Sequence, residues 1–211
     1  MKFPNALKGL KKIYTSEILT LLAGVLTGVL TYLGDGIGAN TEASKMAILA
    51  ALLIGFGILT IIAYILNFVG TVQAGKDESS FKSALLWILI GIILAVAATV
   101  LGEGHSLYRY LRNGTRLADI LMTIYIIQGV ICLANRVGNE EQAQRGKRVQ
   151  NMIVIIYALS FVLQIANDFL NVEKIPAAAL AACGFGAMIL LIIAYITFLK
   201  LLSRAKKMLQ Q

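Results

Sequence analysis

The chain has 211 residues, 58% of them apolar and only 14% charged. A soluble domain carries roughly 25% charged residues, so an ordinary globular protein is excluded. The net charge of +8 does not indicate nucleic acid, because the Lys and Arg residues stand in short groups beside apolar runs and no nucleic-acid-binding motif accompanies them.

Residues 5–14 open the chain with Leu7, Leu10, Ile13 and Tyr14 on one helical face and Lys8, Lys11 and Lys12 off it. That pattern fits an amphipathic helix lying at the inner membrane surface, its lysines meeting anionic lipid head groups. It fits equally a basic flank that orients the first span. Six apolar runs follow: Ile18–Leu33, Met46–Val72, Ala84–Leu101, Leu117–Asn135, Met152–Leu170 and Ala177–Leu199. Each approaches the length of about 20 residues that a membrane-crossing helix needs. The first is too long for a signal-peptide core and lacks a clear cleavage site, so it reads as a retained span. The runs use nearly all of residues 1–211, which predicts a single all-α, polytopic membrane domain. Cys132 and Cys183 fall within spans and read as small packing residues rather than a disulfide.

Orientation follows from the loops. With six spans, fourteen of the 19 basic residues lie on the side shared by the two termini and five on the other. The positive-inside rule then puts both termini in the cytoplasm. The expected location is a cytoplasmic (inner) membrane of bacterial type.

The runs also repeat. GFGILTIIAYI (Gly55–Ile65) and GFGAMILLIIAYI (Gly184–Ile196) match across a two-residue gap, with a weaker echo at Ile120–Ile127. Tyr64, Tyr125 and Tyr195 become equivalent. The odd-numbered spans each end near an acid, Asp35, Glu103 and Asp168, and the inner loop Gly75-Lys76-Asp77-Glu78 resembles Gly138-Asn139-Glu140-Glu141. The economical reading is three tandem helical hairpins of one orientation, related about an axis along the membrane normal.

Polar side chains inside these runs fall at helical spacing. The second span carries Thr60, Tyr64, Asn67 and Thr71; the fourth Tyr125, Gln128, Cys132 and Asn135; the fifth Tyr157, Ser160, Gln164 and Asn167. Stripes of this kind either hydrogen-bond helices together or line a polar path. Asp35, Glu103 and Asp168 would form an outer acidic ring if the hairpins surround an axis, or would simply be solvated at span ends. Asp119, near the outer start of the fourth span, suits the positive end of a helix. Gly24 and Gly28 form a GxxxG pair that permits close helix contact, and Ala84, Gly91, Ala95, Ala98 and Gly102 line a small-residue face on the third span. Outside the membrane, Tyr108, Arg109, Tyr110, Arg112 and Arg116 read as interfacial aromatics and solvated charges.

Recognisable catalytic chemistry is missing. The sequence has one histidine, His105, in a predicted external loop, and it holds no GxSxG, HExxH or phosphate-binding glycine loop. A non-enzyme without metal or cofactor is expected. The leading functional expectation is a small-solute or ion transporter or channel with a polar path between spans 2, 4 and 5. The alternatives are a membrane scaffold or subunit of a larger complex, or a lipid-binding protein. The expected partners are the bilayer, anionic head groups at the cytoplasmic face, and a second copy of the chain or a membrane partner.

Overall fold

A computed structural model describes residues 2–35, 43–169 and 177–210, and the side chains of these apart from 31–35, 43–49, 163–169, 177–185 and 188. The described residues form six helices and no strand: α1 (Pro4–Asp35), α2 (Ala43–Ala74), α3 (Ser80–Leu101), α4 (Tyr108–Val137), α5 (Glu140–Phe169) and α6 (Ala177–Gln210). Helices are expected here because an apolar solvent offers the backbone no hydrogen-bond partners of its own. Among the described residues, four stretches are long and apolar enough to cross a bilayer: Pro4–Leu30, Ala50–Ala74, Ser80–Leu101 and Tyr108–Val137. The protein is therefore a membrane protein.

Each helix packs on its successor and α6 returns to α1, so the six close into a ring, with α4 also reaching α6. The most extensive pairings are α1 with α2 and α3 with α4, the first two of the expected hairpins. The amphipathic stretch 5–14 is the beginning of α1, continuous with the apolar run above it. Its face of Leu7, Leu10 and Ile13 is buried in the core that also holds Ala74 of α2 and Leu202 and Ala205 of α6.

Two glycines allow this. A Cβ built on Gly9 would collide with the Gly70 carbonyl and lie 2.6 Å from the Ala74 nitrogen, and one on Gly70 would lie 2.8 Å from the Gly9 carbonyl. α1 and α2 thus touch backbone to backbone, the kind of approach only small residues permit. The α2–α3 loop then fastens α1 from below. Asp77 accepts from the Ala6 amide at 2.7 Å and from Asn5 Nδ2 at 2.9 Å, capping the free amides of the first turn. Its neighbour Glu78, buried, pairs with Arg136 of α4 at 2.8 Å. On the other side of α1, the Lys206 ammonium stands 3.5 Å from the centre of the Tyr14 ring. Burial, with the Lys11 and Lys207 charges nearby, holds Lys206 below the usual lysine range.

The other small residues divide. On α3, Ala84, Gly91 and Ala98 are buried, and a Cβ on Gly91 would meet Ala118 of α4 at 3.5 Å, while Ala95 is exposed. Gly24 and Gly28 have nothing within 4 Å of an added Cβ, so this GxxxG pair makes no close helix contact among the described residues. Between the two rhyming inner loops the conformation differs. Gly138 is left-handed at φ 79° and ends α4 with Asn139 N–H donating to the Ala134 carbonyl at 2.9 Å; Gly75 keeps a negative φ.

The close α1–α2 crossing predicts an asymmetric response to one added methyl group. Gly9→Ala should lower stability by about 1–3 kcal/mol through overpacking. Gly24→Ala, in open space, should change it by less than about 0.5 kcal/mol. Thermal unfolding in detergent measures both, and equal responses would contradict the crossing.

Candidate functional site

Among the described residues, one carboxyl group is buried between α1, α2 and α6. Glu17 is 7% exposed and stands one residue before the apolar run Ile18–Leu33. It shares the helical face of Leu10 and Ile13, at steps of three and four residues, so the packing that buries that face carries Glu17 inward with it. Among the described residues no Lys or Arg comes within ion-pair distance of it. Its oxygens are satisfied by two neighbouring helices instead. Asn67 Nδ2 of α2 donates to Oε1 at 3.0 Å, and the Tyr195 hydroxyl of α6 lies 2.8 Å from Oε2. Thr71, one turn from Asn67, donates to the Asn67 backbone carbonyl at 2.8 Å and approaches its Oδ1 at 3.3 Å, which fixes the amide with its NH2 toward Glu17.

The tyrosine contact has a further property. The phenol carries one proton but has two acceptors within reach, Oε2 and the Glu17 backbone carbonyl at 2.6 Å. With Glu17 ionised, the phenol proton is shared between them. With Glu17 protonated, the carboxyl O–H donates to the phenol oxygen and the phenol donates to the carbonyl, so both short contacts are filled. The same atomic arrangement accommodates either protonation state.

A second acid stands on α4. A Cβ on Gly91, at the midpoint of α3, would be 3.9 Å from Asp119 Oδ1. The sequence reading put Asp119 near the outer start of its helix; α4 in fact begins at Tyr108, and three turns of helix precede the acid. Asp119 is therefore level with the middle of a membrane-length helix and has no helix N-terminus to stabilise it. Tyr157 of α5 lies within electrostatic range of both Glu17 and Asp119, and Tyr195 within range of Tyr157. Tyr64 of α2 is within range of Asp119, and its hydroxyl lies 3.5 Å from the Ile88 carbonyl of α3. In both sequence-equivalent tyrosines, Tyr64 and Tyr195, the hydroxyl thus reaches the backbone of the next odd-numbered helix around the ring.

Asp119 also borders open space. A cleft of about 230 Å³ is lined by Arg116, Asp119, Thr123, Tyr157, Ser160 and neighbouring apolar groups. A second, of about 420 Å³, runs between the end of α3 and the start of α4, past Glu103, Tyr108 and Arg112, and Arg116 belongs to both. Polar lining thus extends from the α3–α4 loop to the middle of the bundle.

Of the residues expected to form a path, Tyr64, Asn67, Tyr157 and Ser160 belong to this polar centre. Thr60 is exposed and bonds back to the Phe56 carbonyl of its own helix. Tyr125 packs on the core, and Gln128 donates to Cys132 Sγ at 3.8 Å, a sulfur that Ser80 also approaches at 3.9 Å near the start of α3. α4 contributes a different face, Asp119 and Thr123. Gln164 and Asn167 lie outside the described side chains, as do Asp35 and Asp168 of the acidic ring; Glu103 is exposed and accepts from Tyr108 at 3.4 Å. Lys8 and Lys11 are exposed and Lys12 is half-buried. Sequence reasoning missed Glu17 because three lysines just before it made it look like part of a basic flank. The signal that finds it is its register with Leu10 and Ile13.

Tyr195→Phe keeps the ring and removes the donor. It should destabilise the fold by about 1–3 kcal/mol, the cost of leaving a buried acceptor unsatisfied. Asn67→Ala should behave alike, and Tyr195→Phe on a Glu17→Leu background should cost much less. Denaturation of the four proteins as a double-mutant cycle measures the coupling; additive effects would mean the contact contributes nothing.

No family model, curated protein or solved structure matches the chain, so its function is read from these residues alone.

Proposed function

We propose that the protein is a small-solute or ion transporter of a cytoplasmic membrane, with six spans and both termini inside, in which Glu17 binds and releases a proton or a monovalent cation. The observation that carries this reading is the Glu17 carboxyl itself, buried within the helix bundle without a counter-cation among the described residues. Ionisable groups are costly there and, where they occur, commonly serve ion and proton pathways. A purely structural contact between three helices needs no acid, because an amide would satisfy Asn67 and Tyr195 equally well. Asp119 and Tyr157 supply a second acid and a relay hydroxyl beside it, and the clefts at Arg116 supply access. The excess of basic residues on one set of loops supports the orientation.

A scaffold or complex subunit is the second reading. The open face of Gly24 and Gly28 on α1 favours it, since no described residue packs closely on that face.

The test uses full-length protein in liposomes that contain a pH-sensitive dye, with a potassium diffusion potential imposed and sodium or potassium present. Proton or cation flux should exceed that of protein-free vesicles. Glu17→Gln should reduce it roughly tenfold or more, as loss of an ionisable group buried among membrane helices implies. Ser160→Cys and Thr123→Cys, with the native cysteines replaced, should react with a hydrophilic thiol reagent from the α3–α4 loop side. Background flux under every ion condition, with both cysteines protected, would overturn the transport reading.

A further inference from the structure

At the opposite end of the bundle from the Arg116 clefts, α5 and α6 enclose a separate cleft of about 260 Å³. Arg145 and Arg148 enter it from α5, and Lys200 and Arg204 from α6, with Gln142 and Thr197 between them. Four cations around so small a space repel one another. Only Arg145 has a carboxylate partner among the described residues, Glu141 on its own helix. Arg148, Lys200 and Arg204 are exposed and have none. The arrangement is therefore short of negative charge, and Arg side chains in pairs suit the oxygens of a phosphate group.

The surroundings indicate where that phosphate comes from. Val149 and Leu201 give the cleft an apolar floor. From Arg148, steps of four, three and four residues lead up α5 through Met152, Ile155 and Leu159. The same steps lead up α6 from Lys200 through Ile196, Ile193 and Ile189. Apart from Met152, which is half-buried, these side chains are exposed, Ile155 by 67% and Ile193 by 47%. Such tracks face acyl chains in a bilayer, so the four cations stand where lipid headgroups are the nearest source of phosphate. A phospholipid uses the cations for its headgroup and the tracks for its two acyl chains, and basic pockets between membrane helices are known to hold anionic headgroups.

We infer that the α5–α6 cleft binds one anionic phospholipid, its phosphate held by Arg145, Arg148, Lys200 and Arg204 and its chains lying along the exposed faces of α5 and α6. This site is distinct from the lysines of α1 and does not depend on any transport activity.

Native mass spectrometry of the full-length protein in detergent, titrated with phosphatidylglycerol or phosphatidylcholine, tests it. One phosphatidylglycerol should be retained in strong preference to phosphatidylcholine. Replacing Arg148, Lys200 and Arg204 together with Gln should reduce that preference at least roughly tenfold, as expected for three charge-assisted contacts. Replacing Lys8, Lys11 and Lys12 with Gln should leave it intact. Glu141→Gln, an exposed change that leaves the fold alone, releases Arg145 and should tighten binding a few-fold, in keeping with a surface ion pair. Excess inorganic phosphate should not displace the lipid. Unchanged preference in the triple variant, or weaker binding in Glu141→Gln, would overturn the site. Displacement by millimolar phosphate would overturn the assignment to lipid.

Discussion

An ionisable carboxyl buried in an apolar bundle must find hydrogen-bond donors there, and this requirement organises the rest of the molecule. Left bare in hydrocarbon, a carboxylate is costly enough to change its protonation or reject the arrangement altogether. Glu17 finds its donors on two helices distant in sequence, Asn67 on α2 and Tyr195 on α6. The first bond is possible only because α1 lies against α2 with no side chain between Gly9 and Gly70. The second needs α6 to return to α1 and close the ring, a contact reinforced below by Lys206 on Tyr14. Crossing, cap and ring closure all act to hold one acid among its partners.

Packing is uneven along the axis. The described core consists largely of the first turns of α1, the last turns of α2, α4 and α6, and the first turns of α3 and α5, with residues such as Leu10, Phe81, Leu133, Ile153 and Leu202 fully or almost fully buried. Above Glu17, α1 shows Leu21, Leu22, Val25 and Val29 to its surroundings, as suits a lipid-facing surface. The polar clefts lie on that same side of Glu17, lined through Arg116 and Asp119, while the core seals the other side. The acid that borders these clefts is Asp119, while Glu17 lies buried beyond them. In the transport reading, a second state would open the end where Asp77, Glu78 and Arg136 now tie α1, α3 and α4 together.

Much of the fold was legible because hydropathy reports on long helices directly, and the helical step of three to four residues singled out Tyr64, Asn67, Tyr157 and Ser160. What hydropathy cannot see is a helix that begins in charged residues. Arg109, Arg112 and Arg116 lower the hydropathy of the first turns of α4, so the apolar run starts at Leu117 while the backbone is helical from Tyr108. That difference moved Asp119 from a helix end to mid-height. The lysines of α1 hid Glu17 for the same reason. The stripe of Tyr125, Gln128 and Cys132 is real as a helical face, but periodicity fixes only which residues share a face, and the neighbour of that face is set by tertiary packing. It faces the start of α3 because Gly129 receives the Phe81 ring, which a Cβ there would meet at 2.5 Å. The matching inner loops were similar only in letters, since the left-handed turn that ends α4 at Gly138 has no counterpart at Gly75.

The two proposed sites share α5 and α6. Tyr157 and Tyr195 stand on the same helix pair whose lower ends carry the four cations. Gln142 Nε2 bonds to the Leu201 carbonyl at 3.4 Å between those ends, a neutral bond set against the mutual repulsion of Arg145, Arg148, Lys200 and Arg204. In the proposed site, an anion in the cleft would offset that repulsion and favour a closer approach of the two helices there. Helices are stiff over this length, so a change in separation at Arg204 is carried, in part, to Tyr195 a little over two turns away. The contact most sensitive to it is the pair of short bonds from the Tyr195 hydroxyl to Glu17, because hydrogen bonds weaken steeply with small displacements. The anionic lipid content of the surrounding leaflet would then act on the buried Glu17 carboxyl without touching it, by setting how firmly α6 holds its tyrosine against α1.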